Sequence, residues 1–248
     1  ALLPCFTSDL SKAEISDLVN PLKNALNHSS NQNPWQPIKL PVLPPITDTT
    51  LTLIHKPAKQ QALLFIAHPT LPPEHPQSLA LYVALCALGG TFSSPLMQEV
   101  RNKRGLSYGA HAGIRGEAQS RFVCLHTAPD AHQALETLTV MLDVYRQGAQ
   151  GNLSDIEIEF AKNYLINAHP FSIETAAMRA ALIAHAQLMG LNPDWVLKQP
   201  DRIRPLSFED IRQAAREHLS LNHLELLVFG DQEKAMNTLE VDLKKVIS

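Results

Sequence analysis

The sequence predicts an α+β fold in which an antiparallel sheet carries helices packed on one face. Two observations carry that expectation. Short apolar runs bounded by turn residues fall in two clusters, at 51 to 55, 63 to 68, 107 to 114 and 122 to 127, and again at 224 to 229. Between residues 130 and 219 the pattern is helical throughout, so helices follow one another instead of alternating with strands. The 248 residues, 45% hydrophobic and 18% charged, supply enough apolar material for one sizeable core, so one domain with an appendage is expected.

In chain order, Cys5-Phe6-Thr7-Ser8-Asp9 and the stretch 11 to 26 read as the end of a strand, a capped turn and an amphipathic helix. Pro34, Pro37, Pro41, Pro44 and Pro45 exclude a helix and favour an extended, semi-rigid linker over 31 to 45. Strand, Asp turn and helix return at 224 to 231 and in a helical stretch ending at Ile247. Residues 1 to 30 are therefore expected to be the strand-helix tail of a preceding homologous domain, and 46 to 248 the domain proper. Chance similarity of two common motifs is the alternative. Within the domain, Asp130 opens a helix with Leu135, Leu138, Leu142 and Tyr145 on one face, closed by Gly148. A capping box, Ser154 with Glu157, starts the next, which carries Ile158, Ala161 and Leu165 inward. Further helices are expected over 172 to 189, from Pro193, and over 207 to 219.

A net charge of −3 and a pI near 6.4 leave no basic footprint for nucleic acid. The longest apolar run, 79 to 88, is about half of the roughly 20 residues needed to cross a bilayer. The chain begins at Ala1 without Met, which leaves a removed targeting segment, and hence the compartment, open. Cys5, Cys86 and Cys124 are odd in number and widely spaced, unlike a disulfide framework or a cysteine zinc site.

The stretch from Leu88 to Ile114 carries the chemistry. Ser94 suits an N-cap, Pro95 the first helical position and Gly105 the left-handed residue past the end, so 95 to 104 is a short helix feeding a strand at Leu106. Arg101 falls in its last turns and Tyr108 on the strand beyond. Gly105-Leu106-Ser107-Tyr108-Gly109 satisfies the Gly-x-Ser-x-Gly pattern of a nucleophile elbow, but that elbow needs the strand before the serine and the helix after it. Gly89 and Gly90 either allow a substrate backbone to approach closely or simply stop a helix. None of the 11 histidines has metal-ligand spacing: His68 is separated from Glu74-His75 by Pro69, Pro72 and Pro73, and His126 with His132, or His218 with His223, fares no better.

Leu88-Gly89-Gly90, Phe92-Ser93-Ser94, Leu96, Glu99-Val100-Arg101 and 104 to 109 (Arg-Gly-Leu-Ser-Tyr-Gly) resemble the insulinase/pitrilysin family of zinc metallopeptidases, specifically its zinc-less domain. The similarity extends over most of 46 to 248, including Ala161-Lys162-Asn163 and the closing Val228-Phe229-Gly230-Asp231. Pro95 departs from the polar or basic residue common there, a change that a helix start tolerates. The resemblance implies the α/β roll of the mitochondrial processing peptidase type, two such domains closing as a clamshell on an unfolded peptide. One domain would hold zinc and the general base in an inverted His-x-x-Glu-His motif, and the other an Arg/Tyr pair seven residues apart. It implies that Tyr108 donates to the developing oxyanion and that Arg101 holds a substrate carbonyl. A phenol and a guanidinium both keep their donor hydrogens at neutral pH. The plainer alternative is a buried strand tyrosine and an arginine favoured by a helix C-terminus.

The chain alone is thus expected to be inactive, to hold no metal, and to need a His-x-x-Glu-His domain upstream in the same polypeptide or in another subunit. A non-enzymatic binding or scaffold relative is the competing expectation. The bacterial periplasm and the cytoplasm both suit the family, the periplasm slightly better.

Overall fold

The computed structural model describes residues 11–29, 45–116, 120–188, 191–231 and 233. The expected strand over 5 to 9, the Pro-rich linker up to residue 44 and the closing helix to Ile247 lie outside the described residues. In chain order the elements are α1 (Lys12–Ser29), β1 (Thr50–His55), β2 (Leu63–Pro69), α2 (Ser78–Gly89), α3 (Pro95–Met97) continued by a π-helical turn (Gln98–Lys103), β3 (Ala110–Arg115), β4 (Phe122–Thr127), a 3-10 turn (Ala131–Gln133), α4 (Ala134–Ala149), α5 (Asp155–Ser172), α6 (Ala176–Leu188), α7 (Pro193–Leu197), α8 (Gln199–Ile203), α9 (Phe208–His218) and β5 (Glu225–Gly230).

The chain divides into two compact units, Ala1–Pro41 with Pro170–Leu197, and Val42–His169 with Lys198–Ser248. In the first, Ser11 and Glu14 form a reciprocal cap that starts α1, and α6 packs on α7. Its helix α6 begins at Ala176, later than expected, where the Thr175 hydroxyl accepts from the Met178 N–H and the helix runs on from there.

The second unit is built on one five-stranded sheet of order β1-β5-β2-β4-β3. Three pairings are antiparallel as expected, and β1 runs parallel to β5. The reason is topological: β1 and β2 follow each other in opposite directions, and β5 lies between them, antiparallel to β2 and hence parallel to β1. Alternation along each strand sends one set of side chains to the helices. Leu51 and Leu53, Leu226 and Val228, Leu64 and Ile66, Val123 and Leu125, and Ala110 and Ala112 line up in register on that face.

On it lies α2, apolar on all sides and packed on β3 with α9 and α4 beside it. That surround explains the unbroken run from Leu79 to Leu88: a helix buried on every face has no polar stripe to show. Tyr145 of α4 is fully buried and its hydroxyl donates to the Ser220 carbonyl at 2.7 Å. α5 starts at the expected box, with Ser154 Oγ 3.3 Å from the Glu157 N–H and the Glu157 carboxylate 2.7 Å from the Ser154 N–H, and it buries Ile158 and Ala161. Lys162 reaches from α5 to the carbonyls of Arg204 and Leu206 at the end of α8. Asp231, after β5, accepts from the Ala58 N–H at 2.8 Å and so ties down the β1–β2 turn. α4 continues past Gly148 to Ala149, and the left-handed residue is Gly151, at φ +77°.

Candidate functional site

The site is delivered by a short helix and the loop after it. Ser94 takes the extended N-cap conformation and Pro95 the first helical position, but the Ser94 hydroxyl turns back to donate to the Thr91 carbonyl at 2.7 Å. Leu96, Met97 and Val100 are buried, pinning α3 and its π-turn to the core. The turn ends through Gly105 at φ +63°, a conformation in which any side chain would be strained.

Residues 104 to 109 are not strand. The Gly105 N–H donates to the Arg101 carbonyl at 3.0 Å and the Leu106 N–H to the Val100 carbonyl at 2.8 Å, folding the chain back on the helix end. Gly109 is held by the Thr127 hydroxyl, 2.7 Å from its carbonyl. β3 therefore begins at Ala110, and Tyr108 sits in a bend before the strand, not on it. This corrects the expectation of a strand from Leu106; hydrogen bonds back to the π-turn compete with the sheet ladder there.

Tyr108 is 84% exposed. That number decides against a buried strand tyrosine. Its ring centroid lies 4.6 Å from the Arg101 guanidinium carbon, and the ring of Phe92 lies on the same cation at 5.6 Å. Phe92, itself 69% exposed, joins the site through its ring, which the motif at 92 to 94 does not by itself indicate. Two aromatic rings restrain the guanidinium through cation–π attraction, worth ~0.5–1 kcal/mol at an exposed site.

Glu99, the acid nearest in sequence, is engaged elsewhere, with Lys103 at 2.5 Å and Arg104 at 2.6 Å. The hydrogen bond from Lys103, with Arg104 beside it, holds the Glu99 carboxyl below its ordinary range. Among the described residues no carboxylate pairs with Arg101, and the Tyr108 hydroxyl has no hydrogen-bond partner. Arg101 is half-buried on the π-turn against the two rings, and Tyr108 is exposed on the anchored bend that follows.

Gly89, buried, ends α2 and Gly90, half-buried, caps it. A Cβ on Gly89 would lie 2.6 Å from Ala112 Cβ and 2.8 Å from the Ala112 backbone nitrogen, so β3 approaches α2 only because Gly89 has no side chain. A Cβ on Gly90 would meet the Cys86 Cα at 2.7 Å. Ser107, in the spurious elbow, donates from Oγ to the Gly109 carbonyl at 3.3 Å.

The histidines fall apart as ligands. His68 is buried with Nδ1 2.7 Å from the Pro69 carbonyl. His75 packs edge-on against His218 at 5.4 Å, and His126 lies tilted by 35° against His111 at 5.5 Å, neither pairing being legible from sequence spacing. Among the described residues no three His, Cys, Asp or Glu side chains are grouped to hold a metal ion, and no helix is long and apolar enough to cross a membrane. Burial pushes the Cys86 thiol up to about 11.

Comparison with known proteins places these features in context. Residues 5–165 match the model of the peptidase M16 inactive domain. The non-peptidase homolog YmxG of Helicobacter pylori is 20% identical over 176 residues, covering 71% of this chain and 41% of that protein. The uncharacterized zinc protease Rv2782c of Mycobacterium tuberculosis is 28% identical over 171 residues, 68% of this chain and 39% of that protein. The chain thus spans about two fifths of the length of these curated relatives. The crystal structure of a peptidase M16 inactive domain from Pseudomonas fluorescens superposes with a TM-score of 0.76 at 22% identity, over 90% of this chain and 52% of that one.

Proposed function

The chain belongs to the peptidase M16 inactive-domain family, and from that premise we propose that it is the substrate-clamping half of a zinc metallopeptidase acting on unfolded peptides. The observation that carries this reading is the exposed Tyr108 on its anchored bend, its ring set against the Arg101 guanidinium of the π-turn, which pairs with no carboxylate among the described residues. Two cationic or neutral donors with no internal acceptor suit a ligand rich in carbonyl oxygens, which an extended peptide is.

In the proposed mechanism Arg101 binds a carbonyl of the substrate backbone and fixes its register. Tyr108 donates its phenolic hydrogen bond to the carbonyl oxygen that gains negative charge when the scissile bond is attacked. Because the loop is pinned by Val100, Leu106 and Gly109, the donor is in place before the charge develops, which is where such stabilisation counts most. No described residues of this chain fit a zinc ion. The metal, which would activate the attacking water, and the general base are assigned to a His-x-x-Glu-His domain elsewhere in the polypeptide or in another chain.

Tyr108→Phe tests the reading in the assembled peptidase. Turnover is expected to fall roughly 10²- to 10³-fold with a small change in KM, the pattern for a donor that acts in the transition state. Unchanged kcat would remove Tyr108 from the mechanism. A second reading, a binding or scaffold protein without peptidase activity, is favoured by the resemblance to a relative named as a non-peptidase homolog. It predicts peptide or partner binding that is indifferent to Tyr108.

A further inference from the structure

The sheet has a second face, turned away from the helices, and its side chains form a pattern that only the register reveals. Ala67, Cys124 and Gly113 are aligned across β2, β4 and β3, a row of small residues. One step along the strands, Phe65, His126 and His111 are aligned as a ridge of rings, with Phe65 and His126 stacked at 6.1 Å and His126 and His111 at 5.5 Å. On the other side stand Phe122 and Arg115, a further registered pair.

Small residues between two ridges leave a trough. Its volume is about 590 Å³, and at Gly113 an added Cβ would meet nothing within 4 Å. The row of small residues runs across the strands from Gly113 on β3, flanked by Arg115, to Glu225 on β5, which is in register with Ala67, and both Arg115 and Glu225 are exposed. Three strand spacings make that roughly 14 Å, the length of about four extended residues. Glu225 accepts from the Thr50 hydroxyl, and among the described residues neither Glu225 nor Arg115 has an ion-pair partner. Apart from the imidazoles of His126 and His111 and the Thr52 hydroxyl the lining is apolar, with opposite charges at the two ends.

We propose that this trough is a second peptide-binding subsite, taking an extended segment with an aromatic side chain at its centre, a basic side chain at the Glu225 end and a carboxylate at the Arg115 end. The proposal rests on the reading of the chain as a peptide clamp and adds a sequence preference to it. Aromatic packing against Phe65, His126 and Phe122 holds the central side chain, and the end charges set the direction of the segment. A charged centre, or two like charges, is rejected by the same geometry.

The full chain is titrated, by fluorescence anisotropy, with a labelled Gly-Lys-Phe-Ala-Asp-Gly peptide and with versions carrying Ala for Phe, or Gln and Asn for the two charges. Gly113→Phe fills the trough where the structure has open space, so the variant is expected to keep the parent's melting temperature. The expected result is saturable binding of the first peptide, about ten-fold weaker binding of the other two, and a similar loss in Gly113→Phe. Equal affinity for all three peptides, or parental affinity in a folded Gly113→Phe, overturns the proposal. So does light scattering that shows a dimer dissociated by Gly113→Phe, which would give the trough to a second copy of the chain. Turnover of Tyr108→Phe is read separately. An inert trough with a sensitive Tyr108 sinks the subsite alone, and a working trough with an indifferent Tyr108 sinks the catalytic reading alone.

Discussion

Arg101 presents an unpaired guanidinium because Glu99 points back to Lys103 and Arg104, and because Phe92 and Tyr108 supply faces instead of acids. The pair itself was legible from its motif; Phe92 was not, since the fold back of residues 104 to 109 decides which ring meets the cation. His68 shows the opposite treatment of a polar group. It is buried at the helix-facing end of β2, its Nε2 without a hydrogen-bond partner, and edge-on to the Tyr145 ring at 6.2 Å. Burial lowers its pKa from the ordinary value near 6.5, a contact with the Pro69 carbonyl opposing. The unfolded chain then binds a proton more readily than the folded one, so stability rises with pH. The contribution is complete above about pH 6.5 and is lost as pH falls towards the depressed folded value. Chemical denaturation at pH 5 and pH 7.5 is expected to show a smaller pH difference in His68→Leu than in the parent. An equal difference in both would assign the acid sensitivity to other groups, such as His126 and His218, whose pKa values burial also lowers.

At the scale of elements, two signals settled within a few residues read well, while Gly148 proved to lie inside α4 and the Ser94 hydroxyl turned back to Thr91 instead of capping. The box of Ser154 with Glu157 starts α5, and Gly105 ends the π-turn in the left-handed region. Elements whose limits depend on distant partners read less well. β3 starts late because Val100 and Thr127 hold the preceding loop, and the parallel β1–β5 pair exists because β5 enters from far along the chain. The trough on the outer face was illegible for the same reason, since it needs four strands in register. Gly89 bears on one local ambiguity, close approach or helix stop: α2 does end at Gly89, with Gly90 as its cap, and Gly89 also lets β3 come close. Gly89→Ala is therefore expected to destabilise the fold by ~1–3 kcal/mol, as overpacking does, because the atoms it meets include backbone. A melting temperature equal to the parent's would show that α2 and β3 can part at no cost.

For the molecule as a whole, the sheet-and-helix unit accounts for the fold class expected from the clustered strands, and the likeness to M16 inactive domains accounts for its layout. The chain covers 41% and 39% of the two curated relatives described above, and the proposed clamp needs a partner to close against. The two units, one with α1 and the 170–197 helices and one with the sheet, are each compact; neither, among its described residues, gathers a metal site. A clamp half is therefore expected to restore activity by complementation. The most direct measurement is hydrolysis of a quenched fluorescent unfolded peptide by the zinc-loaded His-x-x-Glu-His half, with and without this chain. The expected result is background rate from either half alone and sustained turnover from the two together. Equal turnover by the catalytic half in the absence of this chain, or none from the folded pair, would contradict the clamp and leave the scaffold reading in its place.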